Sequence, residues 1–160
     1  ILLQSIKDTR SIRFTYHSFQ DDSTTDRTLH AYLMKEYRNR WYVIGKDADK
    51  GKIKTFGLDR ISDLNTAGEL FEVDKKFDPE LLFKHSFGIT AGGKPEKIVL
   101  KFAPLEGRFI KSQPLHPSQK IKKDDETGLT ITIKVIPSYE LKSTILSYGN
   151  RVEVLEGDVN

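Results

Sequence analysis

The sequence predicts an α+β fold in two small units, a β-barrel followed by a unit that mixes strands and helices. Short segments of alternating apolar and polar residues recur about every ten residues in the first half, which is typical of a small barrel. The stretch 91–95 carries two glycines and a proline and interrupts this pattern. Beyond it, strand and helix patterns alternate. We place the first unit at 1–90 and the second at 96–156.

The first half begins with a short helix, in which Leu2, Leu3 and Ile6 recur at helical spacing. Residues 11–19 alternate with a period of two and predict a half-buried strand. Arg38-Asn39 predicts a tight turn between two further strands, because Asn tolerates left-handed backbone geometry. The remaining strands are predicted at 27–37, 40–46, 52–58, and 61–64 with 70–73.

The second half predicts elements in the order β-α-β-β-α-β, which is the ferredoxin-like plan. Its strands are predicted at 97–103, 117–123, 129–136 and 152–155. Pro104 fits the start of the first helix, whose Leu105, Phe109 and Ile110 we expect to face inward. Ser138 is the expected N-cap of the second helix.

Composition narrows the functional class. The chain has 160 residues and no Cys, which excludes disulfides and thiolate metal sites. Charged residues are mixed in sign and the net charge is +3, so overall charge alone does not predict nucleic-acid binding. No apolar run approaches the ~20 residues that span a bilayer, and we expect a cytoplasmic protein without a membrane partner. A chain that starts at Ile1 within a helix is expected to be part of a longer protein.

Two motifs resemble known sites but lack essential parts. Residues 88–94 match G-x-x-x-x-G-K, yet Pro95 and a predicted strand follow where a phosphate-binding loop needs Ser or Thr and a helix. Residues 47–51 resemble the start of a calcium loop, whose twelfth position would be Leu58 in place of Glu. The four His lack metal-ligand spacing, and no nucleophile or acid–base constellation is recognisable. We therefore predict no metal, no cofactor and no enzymatic activity.

Five motifs in order resemble one bacterial family, the WYL-domain transcription regulators with a C-terminal WCX extension. They are Phe14-x-Tyr16, Arg27-x-Leu29-x-x-Tyr32-Leu33, Arg40-Trp41-Tyr42-Val43-Ile44-Gly45, Lys54-Thr55-Phe56-Gly57-Leu58-Asp59-Arg60-Ile61 and Pro114-Leu115-His116-Pro117-Ser118-Gln119. The resemblance runs from about Ile12 to Leu155. Lys54 replaces the usual Arg, and Gly57 stands where some members carry a second Arg. Because Arg is a rigid bidentate donor and Lys a mobile point charge, these departures weaken anion binding or change the ligand.

The resemblance implies an Sm-like small β-barrel for the WYL part and a ferredoxin-like WCX part. It also implies a homodimer whose effector alters operator DNA binding through an N-terminal helix-turn-helix domain that is absent from this chain. The effector is expected to be nucleic acid, such as single-stranded DNA, or a nucleotide-like anion. Aromatic and cationic side chains along a barrel groove suit that ligand class.

The candidate ligand-binding residues are Tyr16, Arg27, His30, Tyr42, Lys54 and Arg60. Arg60 lies in the most specific motif, and its alternative role is an ion pair with Asp59 or Asp63, or a cap at the end of a strand. Core packing is the alternative for Tyr16, His30 and Tyr42. A dimerisation or protein-interaction module without a small ligand stays open as the alternative function, and the departures at Lys54 and Gly57 favour it.

Overall fold

The computed structural model describes residues 1–159 and contains two compact units, Ile1–Asp78 and a second from Pro79 onward. Each unit is built on one antiparallel sheet with few helices, which confirms the α+β class. The division lies upstream of the predicted boundary at 91–95. The reason is that Phe87 packs in the hydrophobic core of the second unit.

The first unit contains one helix and five strands. They are α1 (Leu2–Lys7), β1 (Arg10–Ser18), β2 (Ser23–Tyr37), β3 (Arg40–Asp47), β4 (Ile53–Gly57) and β5 (Ile61–Leu70), with a 3-10 turn at Leu58–Arg60. The sheet order is β4-β3-β2-β1-β5. Arg38 and Asn39 both have positive φ, 49° and 61°, as the predicted tight turn between β2 and β3 requires.

The predicted closed barrel is not confirmed. Among the described residues, β4 and β5 are the two edges of the sheet, and no pairing between them closes it. The last strand also differs from the prediction in its bounds, because 61–70 form one continuous strand where 61–64 with 70–73 were expected to supply one short strand or two. Register shifts in the pairing of β1 with β5 accommodate those residues of 61–70 that do not alternate between apolar and polar. Strand β5 therefore continues through them.

The core of the first unit lies on one face of the sheet. Ile12, Phe14, Leu29, Val43 and Phe56 are buried there, at alternate positions of their strands. We call this the inner face. On the opposite side, Phe71 and Phe77 pack against residues of β2.

The second unit contains four strands and three helices. They are α2 (Pro79–Phe83), β6 (Glu96–Phe102), α3 (Pro104–Ser112), β7 (Lys120–Asp125), β8 (Gly128–Val135), α4 (Tyr139–Ser147) and β9 (Val152–Glu156), with a 3-10 turn at Gly149–Arg151. From β6 onward the elements follow the predicted β-α-β-β-α-β order. The strand order in the sheet is β7-β8-β6-β9. The assignment to the ferredoxin-like fold stays a prediction.

Helix α3 presents to the core only part of the predicted face, because Ile110 is buried as expected but two other residues are not. Leu105 and Phe109, expected to face inward, are 65% and 61% exposed, whereas Gly107 and Ile110 are buried. Gly107 explains this orientation, because a Cβ at that position would lie 2.6 Å from Leu129 Cβ. The missing side chain lets the helix approach β8 closely on this side, and the large apolar residues turn outward.

The irregular segment 84–90, which we call the strap, is hydrogen-bonded to the rest of the second unit at several points. The backbone N–H of Ile136 donates to the His85 carbonyl at 2.7 Å. The Ser138 hydroxyl, which is also the predicted N-cap of α4, donates to the Phe87 carbonyl at 3.1 Å. Thr90 donates to the Glu140 carboxylate at 3.0 Å. These bonds hold Phe87 in the core.

Candidate ligand site

Three aromatic rings form a compact cluster on the inner face of the first unit. Tyr16 meets Phe56 edge to face at a centroid distance of 4.8 Å, and Phe14 meets Phe56 at 5.2 Å. We call Phe14, Tyr16 and Phe56 the aromatic triad. Burial raises the pKa of Tyr16, and the charge of Arg60 and a hydrogen bond to the Gly57 backbone partly offset that rise. Tyr16 is therefore a neutral phenol at physiological pH.

Arg60 stacks against this triad. Its Cζ lies 5.4 Å from the ring centroid of Tyr16 and 5.3 Å from that of Phe19, both within cation–π range. The side chain is 22% exposed. Two aromatic rings therefore contact the same guanidinium, and Phe19 itself is largely exposed.

The edge of the Arg60 guanidinium faces an acidic neighbour. Arg60 Nε is 3.7 Å from Asp59 Oδ1, and Arg40 Nη1 is 3.4 Å from Asp59 Oδ2. Arg60 Nε is buried and has no hydrogen-bond partner. Of the two carboxylates predicted as alternatives, Asp59 is the one that pairs with Arg60.

Gly57 allows Arg60 to lie close to the end of β4. A Cβ at Gly57 would be 2.5 Å from Arg60 Nη2 and 2.7 Å from Asp59 Oδ1. Tyr42 is directly opposite Gly57 in the β3–β4 pairing and is close enough to affect the pKa of Tyr16. The structure thus brings Tyr16 and Arg60 together, with Tyr42 on the neighbouring strand β3.

Arg27 and Lys54 form a second group around a buried carboxylate. Arg27 Nη1 is 3.6 Å from Asp47 Oδ2, and Asp47 is 1% exposed. The other oxygen of Asp47 accepts backbone hydrogen bonds from Asp49 and Lys50. Burial, followed by the charges of Lys50 and Arg27, lowers the pKa of Lys54, while Asp47 partly opposes them. Arg27 pairs with Asp47, and the charges of Lys50 and Arg27 both act on Lys54, so we call Arg27, Lys50 and Lys54 the cationic cluster.

The cationic cluster borders the aromatic triad. Arg27 is directly opposite Phe14 in the β1–β2 pairing, and Lys54 precedes Phe56 by two residues on β4. Side chains two residues apart on a strand point to the same side, so Lys54 and Phe56 share the inner face. Together the triad, Arg60 and the cationic cluster make up what we call the ligand face.

His30 is not brought to the ligand face. Its neighbours Leu29 and Ala31 point into the core, so the side chain of His30 projects from the other side of β2. There it stacks on Phe71 with centroids 4.7 Å apart and planes 4° from parallel. Burial and the charge of Lys46 lower its pKa. A packing role accounts for these contacts.

Sequence reasoning missed Phe19, Arg40 and Lys50 as neighbours of the site. Alternation over 11–19 places Phe19 on the side opposite Tyr16, but β1 ends at Ser18, so the alternation does not extend to Phe19. Arg40 and Lys50 lie at the turn ends of β3 and β4, where side-chain direction follows from turn geometry. Only the position of Arg40 beside the Trp41-Tyr42 motif could have drawn attention to it.

Among residues 1–159, no group of three or more His, Asp or Glu side chains is placed to hold a metal ion. No helix in this part of the chain is long and apolar enough to span a bilayer. Phe14 and Phe56 are buried in the core, so the aromatic surface open at this site is that of Tyr16, which is partly exposed, and of Phe19 beside Arg60. The guanidinium groups and the lysines of the cationic cluster add positive charge. These are the features that bind a planar anionic molecule.

Comparison with known proteins identifies both halves of the chain. The family model of the WYL domain matches residues 1–66, and that of the WCX domain matches residues 94–158. No curated protein matches significantly.

Two solved structures resemble the chain. The proteasome accessory factor B/C (PafBC) of Arthrobacter aurescens is 17% identical with a TM-score of 0.49, covering 98% of this chain and 24% of that one. A CRISPR Cas-related protein is 14% identical with a TM-score of 0.63, covering 98% of this chain and 45% of that one. At such identities the likeness concerns the fold, and this chain spans less than half of either protein.

The two domain matches follow each other in the order that the sequence motifs predicted, and together they take in most of the chain. This chain therefore belongs to the WYL-domain family and carries a WYL domain followed by a WCX domain.

Proposed function

We propose that this chain is the effector-sensing part of a transcription regulator and has no enzymatic activity. Its ligand is a nucleic acid, such as single-stranded DNA, or a nucleotide-like anion, bound on the ligand face. Binding then alters the affinity for operator DNA of a helix-turn-helix domain outside this chain. The observation that carries the proposal is the stacked guanidinium of Arg60 beside the cationic cluster on one face of the WYL domain.

The chemistry of this face matches the two parts of a nucleotide. A base can stack on the exposed ring of Phe19, and base–aromatic stacking contributes about 1–3 kcal/mol per base. Phosphates are attracted by Arg27, Lys50 and Lys54, whose charges exceed that of Asp47. Because Lys54 and Gly57 replace arginines of the family pattern, Arg27 and Arg60 are the guanidinium donors left on this face.

The proposal is tested by fluorescence anisotropy of a labelled single-stranded DNA of ~10 nucleotides, a length within the range that such sites accommodate. We expect the wild type to bind at low salt and Arg60→Ala to bind at least about tenfold more weakly, since it loses both stacking and charge. Arg13→Ala is the matched control, because Arg13 is exposed on the opposite side of β1 and its replacement changes net charge equally.

With about three phosphate contacts, the logarithm of affinity should fall with the logarithm of salt at a slope of about −2. Equal affinities of the Arg60 and Arg13 variants would show that binding is not local to the ligand face. Absence of binding by the wild type at low salt would remove single-stranded DNA as the ligand.

A dimerisation or protein-interaction module is the second candidate function. It is favoured by apolar side chains exposed on the helices of the second unit, Leu105 and Phe109 on α3 and Leu146 on α4. Large exposed apolar groups on a small domain often mark contact surfaces. Homodimers are therefore compatible with either function, and a ligand-binding defect of Arg60→Ala separates the two.

A further inference from the structure

The Arg60 guanidinium already lies over two aromatic rings, those of Tyr16 and Phe19, within cation–π range. Its N–H edge is the part that forms hydrogen bonds with an anion. At the edge lies the Asp59 carboxylate, which also reaches Arg40. Asp59 therefore occupies the position that an anionic ligand oxygen needs.

The pairing of Asp59 with the arginines is loose. The distances of 3.7 Å to Arg60 Nε and 3.4 Å to Arg40 Nη1 exceed the usual hydrogen-bond range. Arg60 Nε consequently remains a buried donor without an acceptor. Asp59 is 41% exposed, and exposed ion pairs of this kind contribute little to stability. An oxygen placed at hydrogen-bond distance from Nε would bind better than Asp59 does.

We infer that Asp59 is an internal competitor for the anionic group of the ligand. Its carboxylate neutralises Arg60 and Arg40 until a phosphate replaces it and satisfies Arg60 Nε. Because Asp59 lies in the same 3-10 turn as Arg60, a rotation of its side chain is enough to release both arginines. This regulation of the site, which rests on the proposed function, sets the concentration at which the ligand is sensed.

The competitor also affects selectivity. A ligand with a single negative charge gains little binding energy when it displaces Asp59, because it only replaces one carboxylate with another group of the same charge. Several phosphates, held by the cationic cluster and by Arg60 together, offset the loss of the Asp59 contacts. The site therefore favours a polyphosphate or oligonucleotide over a simple carboxylate.

Anisotropy titrations of the same labelled single-stranded DNA with three variants of the whole chain test this inference. Asp59→Asn removes the charge and keeps the shape, and we expect it to bind about three- to tenfold more tightly than the wild type. Asp59→Glu keeps the charge and should bind like the wild type. Asp8→Asn makes the same charge change at an exposed residue of α1's C-cap and should also leave affinity unchanged.

The salt dependence gives a second measurement. Wild type exchanges a protein anion for a phosphate at Arg60, whereas Asp59→Asn gains a phosphate contact outright. The log–log salt slope of the variant should therefore be steeper by about 0.7, the value for one contact with a single strand. A variant that merely repositions Arg60 would not steepen this slope.

The outcomes separate the two proposals. If the wild type binds and Asp59→Asn binds equally or more weakly, the competitor is overturned and the proposed function stands. A gain in Asp59→Glu equal to that in Asp59→Asn also overturns it, because charge would not be the cause. If neither wild type nor Asp59→Asn binds, the proposed function fails and the inference with it.

A titration with inorganic phosphate, followed by the NMR signal of Arg60 Nε–Hε, tests the same competition without DNA. We expect half-saturation at a lower phosphate concentration in Asp59→Asn than in the wild type. Identical titrations would contradict the inference even if DNA binding differed.

Discussion

Gly57 controls the position of Arg60 at the scale of single atoms. The groups closest to a Cβ at this position are the ends of two side chains, Arg60 Nη2 and Asp59 Oδ1. The backbone at Gly57 has φ −72° and ψ 130°, which any residue can adopt. The glycine is therefore needed for the site and not for the turn.

We expect Gly57→Ala to weaken DNA binding while leaving the free energy of unfolding within about 0.5 kcal/mol of the wild type. The new methyl group pushes the Arg60 guanidinium away from its place beside Tyr16, and the flexible side chain can move at little cost. Anisotropy and urea unfolding of the same sample measure the two effects. Unchanged affinity in a stable variant would show that Arg60 need not lie close to β4.

Gly45→Ala is the contrasting control. A Cβ there would lie 2.2 Å from the His30 carbonyl oxygen and 2.9 Å from Ala31 Cα, so backbone would have to shift. Overpacking of this kind costs about 1–3 kcal/mol or more. The two glycine variants thus separate a functional close contact from a structural one.

The sequence identifies individual site residues better than it places them. The motif around Arg60 singles that residue out, but only the fold shows that Phe19 and Asp59 surround it. His30 was expected on the ligand face, although strict alternation with Leu29 already indicates the opposite side of β2. Whether a ring stacks on Phe71 or on a ligand depends on a segment some forty residues later in the chain.

At the scale of elements, the strap is held by a buried imidazole. His116 is 7% exposed, and its Nδ1 accepts a hydrogen bond from the Ser118 backbone N–H at 3.1 Å. Burial lowers the pKa of His116, as does the charge of His85, while hydrogen bonds to the backbone of Ser86 and Lys84 oppose the shift. His116 thus links the strap to the start of β7.

We expect the chain to lose stability as the pH falls below about 6.5, the pKa of His in an unfolded chain. Because the pKa of His116 is lowered in the folded state, the unfolded chain binds a proton at this residue first as the pH falls. The stability that His116 contributes is fully present above the pKa of the unfolded state and declines below it. Urea unfolding at a series of pH values from about 8 to about 5 measures this.

His116→Gln should make the loss of stability at falling pH smaller. Part of this loss should remain, because the pKa of His30 is also lowered. The measurement to compare is the slope of the free energy of unfolding against pH. The absolute free energy of unfolding is less informative, because the substitution also reduces it. Parallel curves for the wild type and the variant would contradict the role of His116.

Most elements were predictable from periodicity and caps, since strands β1 to β4 and the helices at Pro104 and Ser138 lie close to their expected places. The prediction failed where packing overrides local pattern. The apolar residues of α3 fit an inward stripe through Leu105 and Phe109, but Gly107 allows a closer approach to β8 and rotates the helix. Whether β4 and β5 pair is likewise a long-range property that no local signal encodes.

At the scale of the whole molecule, charge is evenly distributed between the units. Residues 1–78 contain 14 Lys and Arg and 13 Asp and Glu, within totals of 26 and 23. The positive charge of the ligand face is thus a local excess, created where Arg27, Lys50 and Lys54 outnumber the buried carboxylate of Asp47. This is why charge-matched controls are needed to interpret any binding experiment.

Self-association is expected to involve the exposed apolar groups on α3 and α4 of the second unit. Phe109→Ser should shift the monomer–dimer equilibrium toward monomer, since a large aromatic side chain on α3 would no longer be buried on association. Sedimentation over a range of protein concentrations measures this. Leu81→Ser, at a comparably exposed residue of α2, is the control. A chain that remains monomeric at every concentration would rule out dimerisation through this chain alone.

The strap shows that the segment matched by the WCX family model is shorter than the segment that folds as the second unit. The recognisable WCX sequence starts at residue 94, yet Phe87 belongs to the hydrophobic core and the strap is bonded to the strand and helix ends behind it. A natural or engineered gene fusion with its junction at residue 94 would transmit the family signature but leave a gap in the core. A junction before Pro79 keeps both the WCX sequence and the strap that completes the core. We therefore expect viable chimaeras of this domain to have their junctions there.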